Sequence, residues 1–199
     1  MKQLVFIHGG ETFSSYEKYL DALRSWDYEP ENAVQKKWKD TLIPELGNEW
    51  QIFMPSMPSK YNAKYIEWRI WFEKVLPHLT DGTVLVGHSL GGIFLAKFLS
   101  ENSMPNAIAG TFLVAAPFDE ESESGSLADF ILPASLDSFE KQGGAIFLYH
   151  SEDDPVVPFS ELAKYAKQLP EATVRTFSDR GHFLQPEFPE LIDDIRALD

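Results

Sequence analysis

The run Thr83-Val84-Leu85-Val86-Gly87-His88-Ser89-Leu90-Gly91-Gly92-Ile93-Phe94-Leu95-Ala96-Lys97-Phe98-Leu99 changes its hydrophobic pattern at its centre. Thr83 to Val86 is a short apolar run of the kind that forms a buried strand, and Leu90 to Glu101 reads as a helix. Between them lies G-x-S-x-G, with glycine at 87 and 91 and serine at 89. Glycine has a mechanical reason to stand there, because side chains flanking a sharp strand-to-helix turn would clash across it, and the serine backbone at the apex is strained. As a bare pattern the three fixed positions recur by chance in roughly 5–10% of chains this long. The strand leading in and the helix leading out are the context that gives the motif weight.

Outward from this turn the same alternation continues. Leu4–Ile7, Gln51–Met54, Gly110–Ala115, Ala145–Tyr149 and Thr173–Phe177 are short apolar runs bounded by turn residues. Longer amphipathic segments at Ser15–Trp26, Asn62–Leu79, Phe159–Gln168 and Glu187–Leu198 predict helices. In the second, Trp68, Trp71, Phe72, Val75 and Leu76 form a broad apolar face at helical spacing. Strand and helix in alternation predict an α/β architecture, a six-stranded mostly parallel sheet with helices on both faces. Two segments interrupt the pattern: Asp27–Gly47, with a further helical patch at Val34–Leu46, and Phe118–Lys141, which opens on the acidic run Asp119–Glu123, read as a solvated loop. With no repeat and no low-complexity linker, residues 1–199 read as a single domain.

Composition narrows the function. The chain of 199 residues carries 17 Lys and Arg against 31 Asp and Glu, a formal charge of −14. That balance argues against nucleic acid or an anionic membrane surface as partner. Apolar residues at 44% supply a core. There is no cysteine, hence no disulfide, no thiolate nucleophile and no Cys-based metal site. The first apolar run is too short for a signal-peptide core and nothing approaches a membrane-spanning length, so the expected location is cytoplasmic.

A serine hydroxyl needs a base to accept its proton, and the base needs an acid to fix its tautomer. In strand-turn-helix sites of this kind the order is serine, acid, histidine, on loops after successive strands. After Ser89 only His150 and His182 remain. His150 closes a strand, whereas His182 lies in the loop Asp179–Phe183 between the last strand and last helix, where the base belongs. For the acid, Glu152, Asp153 and Asp154 follow the fifth strand, and D-x-x-V-P at Asp154-Pro155-Val156-Val157-Pro158 favours Asp154. Asp153 is the competitor, with loop capping as its plainer role. An oxyanion needs two fixed donors, and the expected pair is the N–H of Leu90 and that of Gly10 in His8-Gly9-Gly10-Glu11.

These residues together resemble the α/β-hydrolase fold, and within it the small serine hydrolases of the YdeN and retinoblastoma-binding type. The resemblance runs over nearly the whole chain, through His8-Gly9-Gly10, Met54-Pro55-Ser56-Met57-Pro58, Glu67-Trp68-Arg69-Ile70-Trp71, the Ser89 turn, Asp153-Asp154-Pro155 and Gly181-His182-Phe183. It implies strand order 2-1-3-4-5-6, no cap domain, a triad of Ser89, Asp154 and His182, and hydrolysis of small carboxylic esters without a cofactor. The retinoblastoma-binding member's partner motif depends on a cysteine, which this chain lacks, so that partner is not expected. A hydrolase-fold protein without chemistry, or a thioesterase, amidase or acyltransferase on the same triad, is the alternative.

Other residues are read more plainly. His8 and His88 stand beside the site without metal-ligand spacing and are expected to support it rather than to bind a metal. His78 reads as a helix-end residue, and Gly143-Gly144 is not a phosphate loop. Loops at the carboxyl ends of the strands bring Phe13, Met57, Tyr61, Pro117, Phe118, Val156 and Phe183 towards the pocket, about half of them expected to serve as core. The pocket is expected to be shallow, and the acidic balance to disfavour strongly anionic substrates.

Overall fold

A computed structural model of the chain describes residues 1–28, 30, 35–121 and 126–198. Six strands, β1 (Lys2–Ile7), β2 (Trp50–Phe53), β3 (Thr83–His88), β4 (Ile108–Val114), β5 (Ala145–Ser151) and β6 (Thr173–Phe177), form one sheet in the order β2-β1-β3-β4-β5-β6. Every pairing is parallel. β1 and β3 lie inside the sheet and are buried almost throughout, while β6 at one edge is exposed along most of its length. That is the burial expected of a parallel sheet whose central strands are covered on both sides.

Alternate strand residues feed two cores. Val5, Ile7 and Leu85 point to a core closed by α3 (Tyr65–Glu73), α4 (Leu90–Glu101), α5 (Asp137–Gln142) and α6 (Ser160–Gln168). Leu4, Phe6, Val84 and Val86 point to the opposite core, closed by Trp38, α2 (Leu42–Leu46) and α7 (Pro189–Arg196). α4 buries residues all round and sits at the centre of the first core. α1 (Tyr16–Ser25) is different, with no buried residue; its start is fixed by Ser15, whose hydroxyl accepts from Lys18 N–H at 3.2 Å. Among the described residues no helix is long and apolar enough to cross a membrane.

Several expected elements differ. The segment 62–79 is not one helix. α3 starts at Tyr65, where the distant Asp129 carboxylate accepts from Tyr65 N–H at 2.9 Å. A 3-10 turn, Leu76–His78, takes over at its end, because Pro77 has no N–H to continue the helical ladder. Trp68 and Phe72 are buried as expected, but Trp71 is 45% exposed. In place of a helix over 34–46 there is a 3-10 turn, Trp38–Thr41, followed by α2; Val34 lies outside the described residues. The acidic run is not simply solvated. Asp119 pairs with Lys164 at 2.5 Å, and Glu120 accepts from Leu127 N–H at 2.6 Å, while residues 122–123 of the run lie outside the described residues.

Candidate active site

The turn after β3 is dictated by space. A Cβ on Gly91 would lie 2.2 Å from the Ile7 carbonyl oxygen, and one on Gly87 2.4 Å from that of Gly91. The first turn of α4 can therefore press against the end of β1 only with glycine at these positions. Ser89, at the apex, has φ 55° and ψ −123°, a left-handed conformation costly for any residue with a side chain. Its N–H donates to Val114 O at 2.8 Å, which ties the apex to β4.

β5 and β6 deliver the other two groups. The Asp154 carboxylate, with its side chain fully buried, accepts from Val156 N–H at 2.8 Å and Val157 N–H at 3.0 Å. It meets His182 Nδ1 at 2.8 Å and 3.1 Å. Burial pushes the Asp154 carboxyl up, but the His182 hydrogen bond and charge and the two amides outweigh it, leaving its pKa below the ordinary carboxylate value. Asp153 points elsewhere, accepting from Ser151 Oγ at 2.5 Å and Gly181 N–H at 2.9 Å. It anchors the loop that carries His182. The carboxylate facing His182 is thus Asp154, and Asp153 keeps the capping role.

Two neutral histidines brace the site. Met57 N–H donates to His8 Nε2 at 2.9 Å, so the ring proton is on Nδ1, which lies 2.6 Å from Gly9 O. Burial holds the His8 pKa down. Burial and the neighbouring His182 push His88 down to about 3, and its Nε2–H donates to His182 O at 2.8 Å. His8 thereby fixes the glycine turn against the exit of β2, and His88 fixes the backbone of His182.

Ser89 and His182 line the same cavity, and no hydrogen bond joins Ser89 Oγ to the imidazole among the described residues. The N–H groups of Gly10 and Leu90 donate to no acceptor among the described residues. The two residues are in contact range, a Cβ on Gly10 lying 3.3 Å from the Leu90 side chain.

The cavity has a volume of about 1020 Å³, and the loop after β1 and the first turn of α1 wall one side. Phe13, Met57, Tyr61, Pro117, Val156 and Phe183 line it, but Phe118 does not. Phe118 turns away to stack edge-on against Tyr165, with ring centroids 4.9 Å apart. Met57 and Phe183 are also buried core residues. The segment around residue 38 is a pocket wall: Lys37, Trp38 and Lys39 line the cavity. Trp38 Nε1–H donates to Phe183 O at 2.7 Å, so this wall also holds the His182 loop. No local pattern marks Trp38 for that role; only the fold brings it across.

A serine hydrolase family model matches residues 30–187 of the chain. The chain belongs to the serine hydrolase family. Within the family it is 28% identical to the serine hydrolase RBBP9 of Rattus norvegicus over 149 residues, 75% of this chain and 78% of the relative. It is 27% identical to YdeN of Bacillus subtilis over 134 residues, 66% of this chain and 70% of that one. The crystal structure of the Bacillus subtilis ydeN gene product superposes with a TM-score of 0.74 at 22% identity, covering 100% of this chain and 98% of that one. Naproxen esterase from Bacillus subtilis superposes with a TM-score of 0.64 at 14% identity, over 100% of this chain and 84% of its own, which is a likeness of fold. The fold is accordingly the α/β-hydrolase fold, in a minimal six-stranded form.

Proposed function

We propose that the protein is a cofactor-independent esterase acting on small carboxylic esters through Ser89, His182 and Asp154. With the His182 Nδ1 proton directed at the Asp154 carboxylate, Nε2 is left free to accept a proton. Ser89 Oγ attacks the ester carbonyl as His182 Nε2 takes its proton, and the N–H groups of Gly10 and Leu90 hold the oxyanion. His182 returns the proton to the departing alcohol, leaving an acyl-Ser89 ester. Water, deprotonated by the same Nε2, then releases the acid. The observation that carries this reading is the 2.8 Å contact between His182 Nδ1 and a fully buried carboxylate. The apolar lining suits an acyl chain.

Fluorophosphonate labelling tests it, with 4-nitrophenyl butyrate turnover as the companion assay. Wild type labels on Ser89 and hydrolyses the ester, and Ser89→Ala does neither. Equal labelling of Ser89→Ala, or turnover that survives it, overturns the assignment of the nucleophile.

A further inference from the structure

The cavity is charged against the sign of the protein. In a chain with 31 Asp and Glu to 17 Lys and Arg, its wall holds, among the described residues, Lys18, Lys37, Lys39 and Lys60 and a single carboxylate, Glu11. The local balance at the cavity thus differs from that of the whole chain. Lys39 is answered by Asp40 at 2.7 Å. Lys18, Lys37 and Lys60 make no ion pair among the described residues. Lys37 N–H donates to Asp40 at 3.0 Å and its charge also acts on that carboxylate without an ion-pair contact, while the Lys60 ammonium lies 4.8 Å over the Tyr61 ring. Three separate stretches of chain, the start of α1, the approach to Trp38 and the loop after Pro58, thus each bring one lysine to the wall of the same cavity. Their field reaches the chemistry, since Lys60 and Lys39 help lower the His8 pKa and Lys37 that of His88. Glu11 is the opposing group; burial raises its carboxyl pKa and the charge of His182 lowers it.

We propose that the substrate is an ester carrying an anionic terminus, a carboxylate or a phosphate, remote from the scissile carbonyl and held by Lys18, Lys37 and Lys60. The inference rests on the esterase reading and leaves its chemistry unchanged, ester and water giving acid and alcohol. Apolar lining such as Phe13, Met57 and Val156 takes the chain between the ends. A small anion fits better than a polyanion, for the net charge of −14 repels a long one while the local field attracts a short one.

The test is a matched set of chromogenic esters: 4-nitrophenyl glutarate with its free carboxylate, the neutral 4-nitrophenyl methyl glutarate, and 4-nitrophenyl 4-phosphonobutyrate. The readout is the ratio of kcat/KM for each anionic ester to the neutral one, after subtraction of the rate without enzyme. In wild type at low salt the ratio for at least one anion is about tenfold, the scale that three partly exposed charge pairs supply together. It collapses towards one at about 0.5 M salt, and also in Lys18→Gln/Lys37→Gln/Lys60→Gln. Lys60→Glu, a single surface change, lowers it as well. The anion with the larger ratio identifies the terminus. Ratios near one, or ratios indifferent to salt and to the lysine variants, overturn the proposal while the esterase reading stands. Absence of turnover of every ester, with no fluorophosphonate label on Ser89, sinks both.

Discussion

Replacing Asp154 with Asn removes one charge and turns an amide NH2, in place of a carboxylate oxygen, towards His182 Nδ1. The amide oxygen can still accept from Val156 and Val157 N–H, now at 2.8 Å and 3.0 Å from the carboxylate, so the loop keeps its turn. What disappears is the acceptor of the Nδ1 proton and, in the proposed mechanism, the partner of the imidazolium formed as His182 takes the Ser89 proton. With Nδ1 at 2.8 Å from the carboxylate and the pair largely out of water, the centres of charge are about 4 Å apart. At an effective dielectric constant of about 20 their attraction is about 4 kcal/mol, which corresponds to a loss of about a thousandfold in kcat. Asp153→Asn disturbs only the bonds to Ser151 and Gly181 and is expected to stay within about tenfold of wild type. Steady-state hydrolysis of 4-nitrophenyl butyrate, with thermal melts to verify folding, compares the two. A loss below tenfold in Asp154→Asn, or the larger loss in Asp153→Asn, would refute the assignment of the acid.

Three further outcomes follow from the same contacts. His88, with a pKa pushed to about 3 against 6.5 when unfolded, binds a proton in the unfolded chain that the folded chain excludes. Stability is therefore full above pH 6.5 and falls as pH drops towards 3; His88→Gln, which keeps a donor for His182 O, should flatten urea-determined stability against pH by up to about 1.4 kcal/mol per unit. Gly91→Ala forces a Cβ to 2.2 Å from Ile7 O and should cost about 3 kcal/mol or more, read as a lowered Tm or loss of soluble protein. Ser89→Gly relieves the left-handed strain that Ser89→Ala retains, so the glycine variant should be the more stable of the two by about 1 kcal/mol in chemical denaturation.

The sequence by itself determined the alternation of strand and helix and the parallel character of the sheet. Periodicity separates strand from helix because a buried strand and an amphipathic helix bury different subsets of side chains, and the glycines around Ser89 announce a turn that no other residue tolerates. Parallel order follows, since strands joined by helices can pair in few other ways. The positions of Ser89, Asp154 and His182 were legible for the same reason: each lies on a loop after a strand, and a parallel sheet places all such loops at one end. The D-x-x-V-P pattern favoured Asp154 and left Asp153 as competitor; tertiary structure decided between them, because the two are chemically equal and differ only in where the turn points them. It also decided that α3 starts under a cap from Asp129, 64 residues away from Tyr65, and that Phe118 packs on Tyr165 rather than in the cavity. The wall at Lys37 and Trp38 and the gathering of Lys18, Lys37 and Lys60 were equally invisible. Net charge is a sum over the chain, whereas a substrate feels only the charges within about a Debye length, and the fold selects which those are.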